Sequence, residues 1–115
     1  MATVTPKVLV EGTLLPTAAL GDPGLYKSAP ATQTTIRSMT MTNVSASVAV
    51  VTVHLVKAGD VEADKNVVGL KVQSIQPGTS LIDDTSRQLE AGDFISAYSA
   101  TANAIAFRAD GATVS

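Results

Sequence analysis

A single histidine, His54, and two groups of acids are the residues whose types could do chemistry in this chain. A histidine acting as general base needs a nucleophile within reach and an acid to orient it. No Gly-x-Ser-x-Gly elbow supplies them. Strand alternation sets His54 on the face opposite Val51, Val53 and Leu55, so a structural or interface histidine is expected. Asp60, Glu62 and Asp64 recur at every second position, which superficially suits calcium. An EF-hand loop asks for Gly sixth and Glu twelfth, where this chain has Lys65 and Lys71, so a solvated acidic loop is expected. Asp83 and Asp84 are adjacent and would point to opposite faces of a strand, so they form no dyad. A turn or a charge-guarded edge accounts for them. Asn43-Val44-Ser45 matches a glycosylation sequon, but residues 1–12 lack the charged start and apolar block of a secretory signal. There is no phosphate loop and no dinucleotide fingerprint. No catalytic, cofactor-binding or metal-ligating residue is assigned, and no enzyme is expected.

Composition narrows the classes further. At 115 residues the chain suits one domain with a core of its own. The formal net charge is -2, with eight Lys and Arg spread singly, which offers no dense basic patch for nucleic acid. With no Cys, disulfides and thiolate metal sites are excluded. No apolar stretch approaches the roughly 18 residues of a membrane span. Charged residues make up 16%, against about 25% in average globular proteins. Val, Thr and Ile together supply 33 of the 115 residues, and such β-branched side chains pack well on a pleated surface.

The elements follow from that bias. Residues 1–12 alternate, with Val4, Val8 and Val10 separated by others. Residues 13–24 are punctuated by Pro16, Gly21, Pro23 and Gly24 and are expected to be irregular. Together, residues 1–24 form an N-terminal arm or edge segment that either packs along its own sandwich or reaches onto a neighbour. Residues 25–115 form the domain proper. Strands are expected at 25–28, 34–42 (with Met39 and Met41 on one face) and 48–56. Further strands are expected at 67–74, at 80–82 and 87–89 as short edges, at 94–100, at 104–109 and at 112–115. Turns fall at 43–47, 76–79, 90–93 and 101–103, with a polar loop over 58–66. The Ala-Gly-Asp sequence at 58–60 and 91–93 is a common turn used twice. About seven or eight short strands separated by turn chemistry predict an all-β antiparallel sandwich, immunoglobulin-like or jelly-roll-like, with an extended N-terminal arm. The run 48–56 is apolar on both faces, so Val50 and Val56 need cover from the leader, a loop or another subunit.

The order of several short motifs then resembles a known group. Leu25-Tyr26 precedes Ala29-Pro30-Ala31-Thr32, then Thr35-Ile36-Arg37-Ser38-Met39 and Thr42-Asn43. These are followed by Val51-Thr52-Val53-His54-Leu55-Val56, Gln76-Pro77-Gly78-Thr79 and Leu89-Glu90-Ala91-Gly92-Asp93. This resembles a group of small β-sandwich structural proteins of tailed bacteriophages and prophages, with a "LYTAP", "TN", "VTLHLV", "PG", "LEAGD" order. The resemblance implies a virion protein without catalysis or cofactor, assembled in the host bacterial cytoplasm. The first expectation is a capsid decoration or cement protein that contacts the major capsid protein or other virion proteins. Such a protein is expected to self-associate, with a trimer as the first arrangement. A tail, baseplate or head–tail connector component is the alternative. A host-glycan-binding module is the expectation from another class. It would use an aromatic platform, for which the chain offers only Tyr26, Tyr98, Phe94 and Phe107.

Overall fold

A computed structural model describes residues 3–18, 24–59 and 73–114. Nine strands appear among them and no helix: β1 (Val4–Leu14), β2 (Tyr26–Lys27), β3 (Gln33–Asn43), β4 (Ala49–Val56), β5 (Gln73–Ile75), β6 (Ser80–Asp83), β7 (Arg87–Leu89), β8 (Phe94–Ser99) and β9 (Ile105–Val114). They form two antiparallel sheets packed as a sandwich, one in the order β1-β9-β3-β6 with β7 also on β3, the other in the order β2-β8-β4-β5.

The pairing is that of one long hairpin rolled up. β4 pairs with β5, β3 with β6 and β7, β2 with β8, and β1 with β9, all antiparallel and nested one outside the next. Successive pairs alternate between the sheets, and rolling then brings β9 against β3 and β8 against β4. Because β6 and β7 both lie on β3, they act as one interrupted strand, which leaves eight. This is the jelly roll, the second of the two sandwich types that the strand count allowed. Within the chain itself, Val4–Leu14 of the N-terminal segment form the outer strand of the first sheet, paired with β9.

Two irregularities keep apolar side chains pointing inward. In β3, Ile36 pairs with Gly111 and Ser38 with Asp110, so Arg37 is an extra, exposed residue. Thr34 and Ile36 before it and Met39 and Met41 after it are therefore all buried, although strict alternation would turn one pair outward. In β1 the register shifts between Val8 and Val10, and the consecutive residues Leu9 and Val10 are both buried. The core joins Ile36, Met39, Met41, Ile105 and Phe107 of the first sheet to Val51, Val53, Ile95 and Ala97 of the second.

The second sheet is also covered on its other face, within the chain itself. Thr52 and His54 are each 4% exposed and Val56 is fully buried, as are Phe94 and Ser96; Val50 is half-buried. That is the cover which the two-faced apolar pattern of β4 called for. The segment expected as two strands at 104–109 and 112–115 is one strand, β9, that runs through Asp110 and Gly111. Gly111 belongs there because β3 passes so close that a Cβ would run into the carbonyl of Thr35. The loop expected at 58–66 lies beyond Gly59 outside the described residues, as does the strand expected at 67–74 up to its last two residues, which open β5. Gly111→Ala should destabilise the fold by about 1–3 kcal/mol in chemical denaturation, through overpacking against Thr35.

Candidate functional site

Polar side chains with several converging partners are where chemistry would be sought, and two such centres stand out. The first is Asp93, which ends the turn between β7 and β8, where the chain passes from one sheet to the other. Its side chain is 5% exposed. Oδ1 accepts from the Ala58 amide at 2.9 Å, and Oδ2 accepts from the Glu90 amide at 2.9 Å and from Lys57 Nζ at 3.2 Å. The backbone joins in: Ser28 N–H donates to the Asp93 carbonyl and Gly92 N–H to the Ser28 carbonyl, each at 2.9 Å. Gly92 adopts φ 86°, and a Cβ there would stand 2.9 Å from the Ala58 Cβ. The two Ala-Gly-Asp turns thus meet in space at the described Ala58-Gly59 and Ala91-Gly92-Asp93.

Asp93 is held ionised by this setting. Burial pushes its pKa up, but the Ala58 and Glu90 amides and the Lys57 ammonium outweigh burial and hold it below the ordinary aspartate range. Each oxygen already has donors, and the arrangement fixes three backbone segments rather than presenting a reactive group.

The second centre is Asn43, at the opposite end of the sandwich. It is fully buried where β3 leaves the first sheet. Nδ2 donates to the Ser47 and Ile75 carbonyls at 2.8 Å each, and Oδ1 accepts from the Ser45 amide at 2.9 Å and the Ser45 hydroxyl at 2.7 Å. That uses both donors and both lone pairs of a carboxamide. Its backbone is also occupied, donating to Thr79 O and accepting from Gly78 N–H at 3.0 Å each. The sequon at Asn43 is therefore a structural motif, since both Asn43 and Ser45 are engaged inside the turn.

The remaining residues singled out by type do not assemble. His54 lies opposite Ser96 across β4 and β8 and stacks on Tyr98 with ring centroids 6.0 Å apart. No local signal marks a histidine beside a serine, because strand register alone creates the pair. His54 is 4% exposed and Ser96 is fully buried, so the pair is closed off from solvent. Asp83 bonds Arg87 Nε at 2.9 Å and accepts from the Thr85 amide at 3.2 Å, closing the interruption between β6 and β7. Burial raises its pKa, but Arg87 and Thr85 more than offset this and lower it. Asp84 is exposed. Asp60, Glu62 and Asp64 lie outside the described residues, and among those described no group of three His, Cys, Asp or Glu could hold a metal ion. Phe94 and Phe107 are buried and Tyr26 and Tyr98 are half-buried, so no exposed aromatic platform forms from them. An open depression of about 400 Å³ between Lys27, Ser28, Pro30, Ala31, Ala91 and Gly92 offers a single cation. The Ser28 hydroxyl is already bonded to Thr32 O and Thr34 Oγ1.

Some apolar side chains also reach the surface. The large exposed hydrophobic residues among those described are Val4, Val8 and Leu14 on β1, Val44 and Val48 around the 44–48 turn, and Ile82 on β6. The arrangement can bind through surfaces and edges; it has no assembled reactive centre among the described residues.

Two outcomes follow from the polar centres. Asp93→Asn leaves one backbone amide or Lys57 facing an NH₂ donor and should cost about 2 kcal/mol or more at neutral pH by urea denaturation. A carboxyl whose pKa is lowered by folding adds stability above its unfolded value of about 3.9 and loses it as pH falls through the folded value. Wild-type stability should therefore decline below about pH 4, and Asp93→Asn should flatten that decline, with Asp83 contributing to what remains. Asn43→Asp sets a carboxylate oxygen against two carbonyls at 2.8 Å and should cost at least as much, seen as a lowered melting temperature.

No family model, no curated protein and no solved structure matches this chain.

Proposed function

We propose that this chain is a structural protein of a tailed bacteriophage virion, and in particular a capsid decoration or cement protein. The observation that carries this reading is the ordered run of motifs from Leu25 to Asp93 that resembles the phage β-sandwich group. Two physical features support it. The two buried polar centres, Asp93 and Asn43, are engaged in holding the fold, and the chain is weakly charged with apolar side chains on an open edge. Such a module works by contact. It binds the major capsid protein or other virion proteins across capsomer boundaries, so that separating the capsomers also breaks its own interfaces. At roughly 25 cal/mol per Å² of apolar surface, a contact of about 800 Å² per partner is enough to oppose rupture. Self-association, a virion location after assembly in the host cytoplasm and the lack of catalysis all belong to this reading. Nucleic acid and membrane have no place in it.

The test is the copy number in purified virions, by densitometry against the major capsid protein. Hundreds of copies per particle are expected, and virions lacking the protein should rupture at lower temperature or milder osmotic shock. A dozen copies or fewer would move the protein to the tail, baseplate or connector, and its absence from virions would overturn the reading.

A further inference from the structure

The two outer faces of the sandwich are unlike. That of the second sheet is covered within the chain, whereas that of the first reaches solvent. Ladder register shows what the first face carries, because residues directly opposite one another share a face. Leu14, Ala106 and Thr42 form one row across it, and Arg108, Thr40 and Ile82 the next. Val8, Asp110 and Ser38 form the third, with Val4 further along β1. Val44 follows the buried Asn43 at the end of β3, its N–H bonded to the Ala104 carbonyl. Five of the six large hydrophobic side chains exposed among the described residues thus share this face: Val4, Val8, Leu14, Val44 and Ile82. Val48 is the sixth.

The margins of the face resist strand addition. β1 shifts register twice, between Val8 and Val10 and between Val10 and Thr13, and the opposite margin is split between β6 and β7. A partner therefore meets the face rather than an edge. Four strands about 4.8 Å apart, at about 3.3 Å per residue along the 10 residues of β9, outline roughly 600 Å² before side-chain relief is added. A standard interface takes roughly 800 Å² per partner. Arg108 and Asp110 are the charged residues of the three rows, and they bind each other, Nε to Oδ2 at 3.3 Å. These rows sum to no net charge, which suits a weakly charged protein surface and neither nucleic acid nor anionic lipid.

The apolar side chains fall into two groups. Val4, Val8 and Leu14 lie along β1, and Val44 and Ile82 lie on the β3–β6 side. Between them stand Arg108 and Asp110 of β9 and Ser38 and Thr40 of β3. An interface with one partner has an apolar centre and a polar rim. Here the order is reversed, and a second copy centred on the face would bury the ion pair, whose desolvation opposes binding. We propose that the outer face of the first sheet lies on the capsid shell across the junction of two neighbouring capsid subunits. The β1 group rests on one subunit and Val44 with Ile82 on the other, and Arg108 and Asp110 stay hydrated over the junction. This contact rests on the reading of the chain as a virion protein and names the surface that does the work.

Virions stripped of the protein, with the purified full chain added back and co-sedimented, test it. Val4 and Ile82 are 61% and 62% exposed, so Val4→Lys and Ile82→Lys should leave the melting temperature of the free chain unchanged. Each should weaken binding to the stripped shell about tenfold or more, because an ammonium would enter an apolar contact. Val48→Lys, at a residue 50% exposed but outside this face, should bind as wild type. Dissociated capsid subunits, each offering half of the footprint, should bind at least about tenfold more weakly than the shell. Binding unchanged by both lysines, or an equal loss with Val48→Lys, would overturn the face. Equal binding to dissociated subunits would overturn the junction. If either face variant lowers the mass of the free protein in sedimentation, the face belongs to a second copy and the proposal fails. Wild type that does not rebind the shell would instead remove the virion reading itself, and this contact with it.

Discussion

The carboxylate of Asp93 holds together the place where this fold is hardest to close. A rolled hairpin must carry its chain from one sheet to the other at both ends of the sandwich, and there backbone amides leave one ladder before joining the next. An amide buried without a partner costs as much as a lost hydrogen bond or more. Asp93 supplies acceptors for Ala58 and Glu90 at one end, and Asn43 ties Ser45, Ser47 and Ile75 at the other. Between these two clasps the sheets are joined by an apolar core with little polar content. Asp93 and Asn43 are thus polar groups that the topology needs as backbone partners.

Much of this architecture was legible in the sequence, and the reasons are local. Period-two alternation and β-branched content marked β3, β4 and β8, and Pro77-Gly78 and Ala91-Gly92 marked turns, because those signals act within a few residues. Jelly-roll order, as against immunoglobulin order, is set by which distant strands pair, and no local signal carries that. The same holds for Gly111: it has the look of a turn residue, but it sits mid-strand because Thr35 crosses it from a strand far away in the sequence. Extension of the first strand to Leu14 was hidden by the turn-forming residues that follow it. The exposed Arg37 bulge keeps two successive apolar runs on one face, and period-two reasoning has no means to place such an insertion.

The candidate sites divide in the same way. His54 was legible as structural from its strand position, whereas its pairing with Ser96 follows only from register. Asp93 and Asn43 drew no attention as hubs because each belongs to a common turn motif. Yet several short turn motifs gather around them. Thr42-Asn43 and the Gln76-Pro77-Gly78-Thr79 turn meet at one clasp, and Glu90 and Asp93 of the Leu89 to Asp93 motif, with Ser28 beside Ala29-Pro30, meet at the other. Apolar side chains reach solvent elsewhere, on β1, the 44–48 turn and β6.

The claim that these polar groups serve the fold is tested most directly by amide hydrogen exchange resolved residue by residue at neutral pH. The amides of Ala58, Glu90 and Ser45 lie outside the strands and, among the described residues, bond to side chains of Asp93 or Asn43. If those side chains clasp the sandwich, all three amides should exchange as slowly as the amides of β4 and β8, opening only when the sheets separate. Exchange as fast as that of the exposed 101–103 turn would contradict the account.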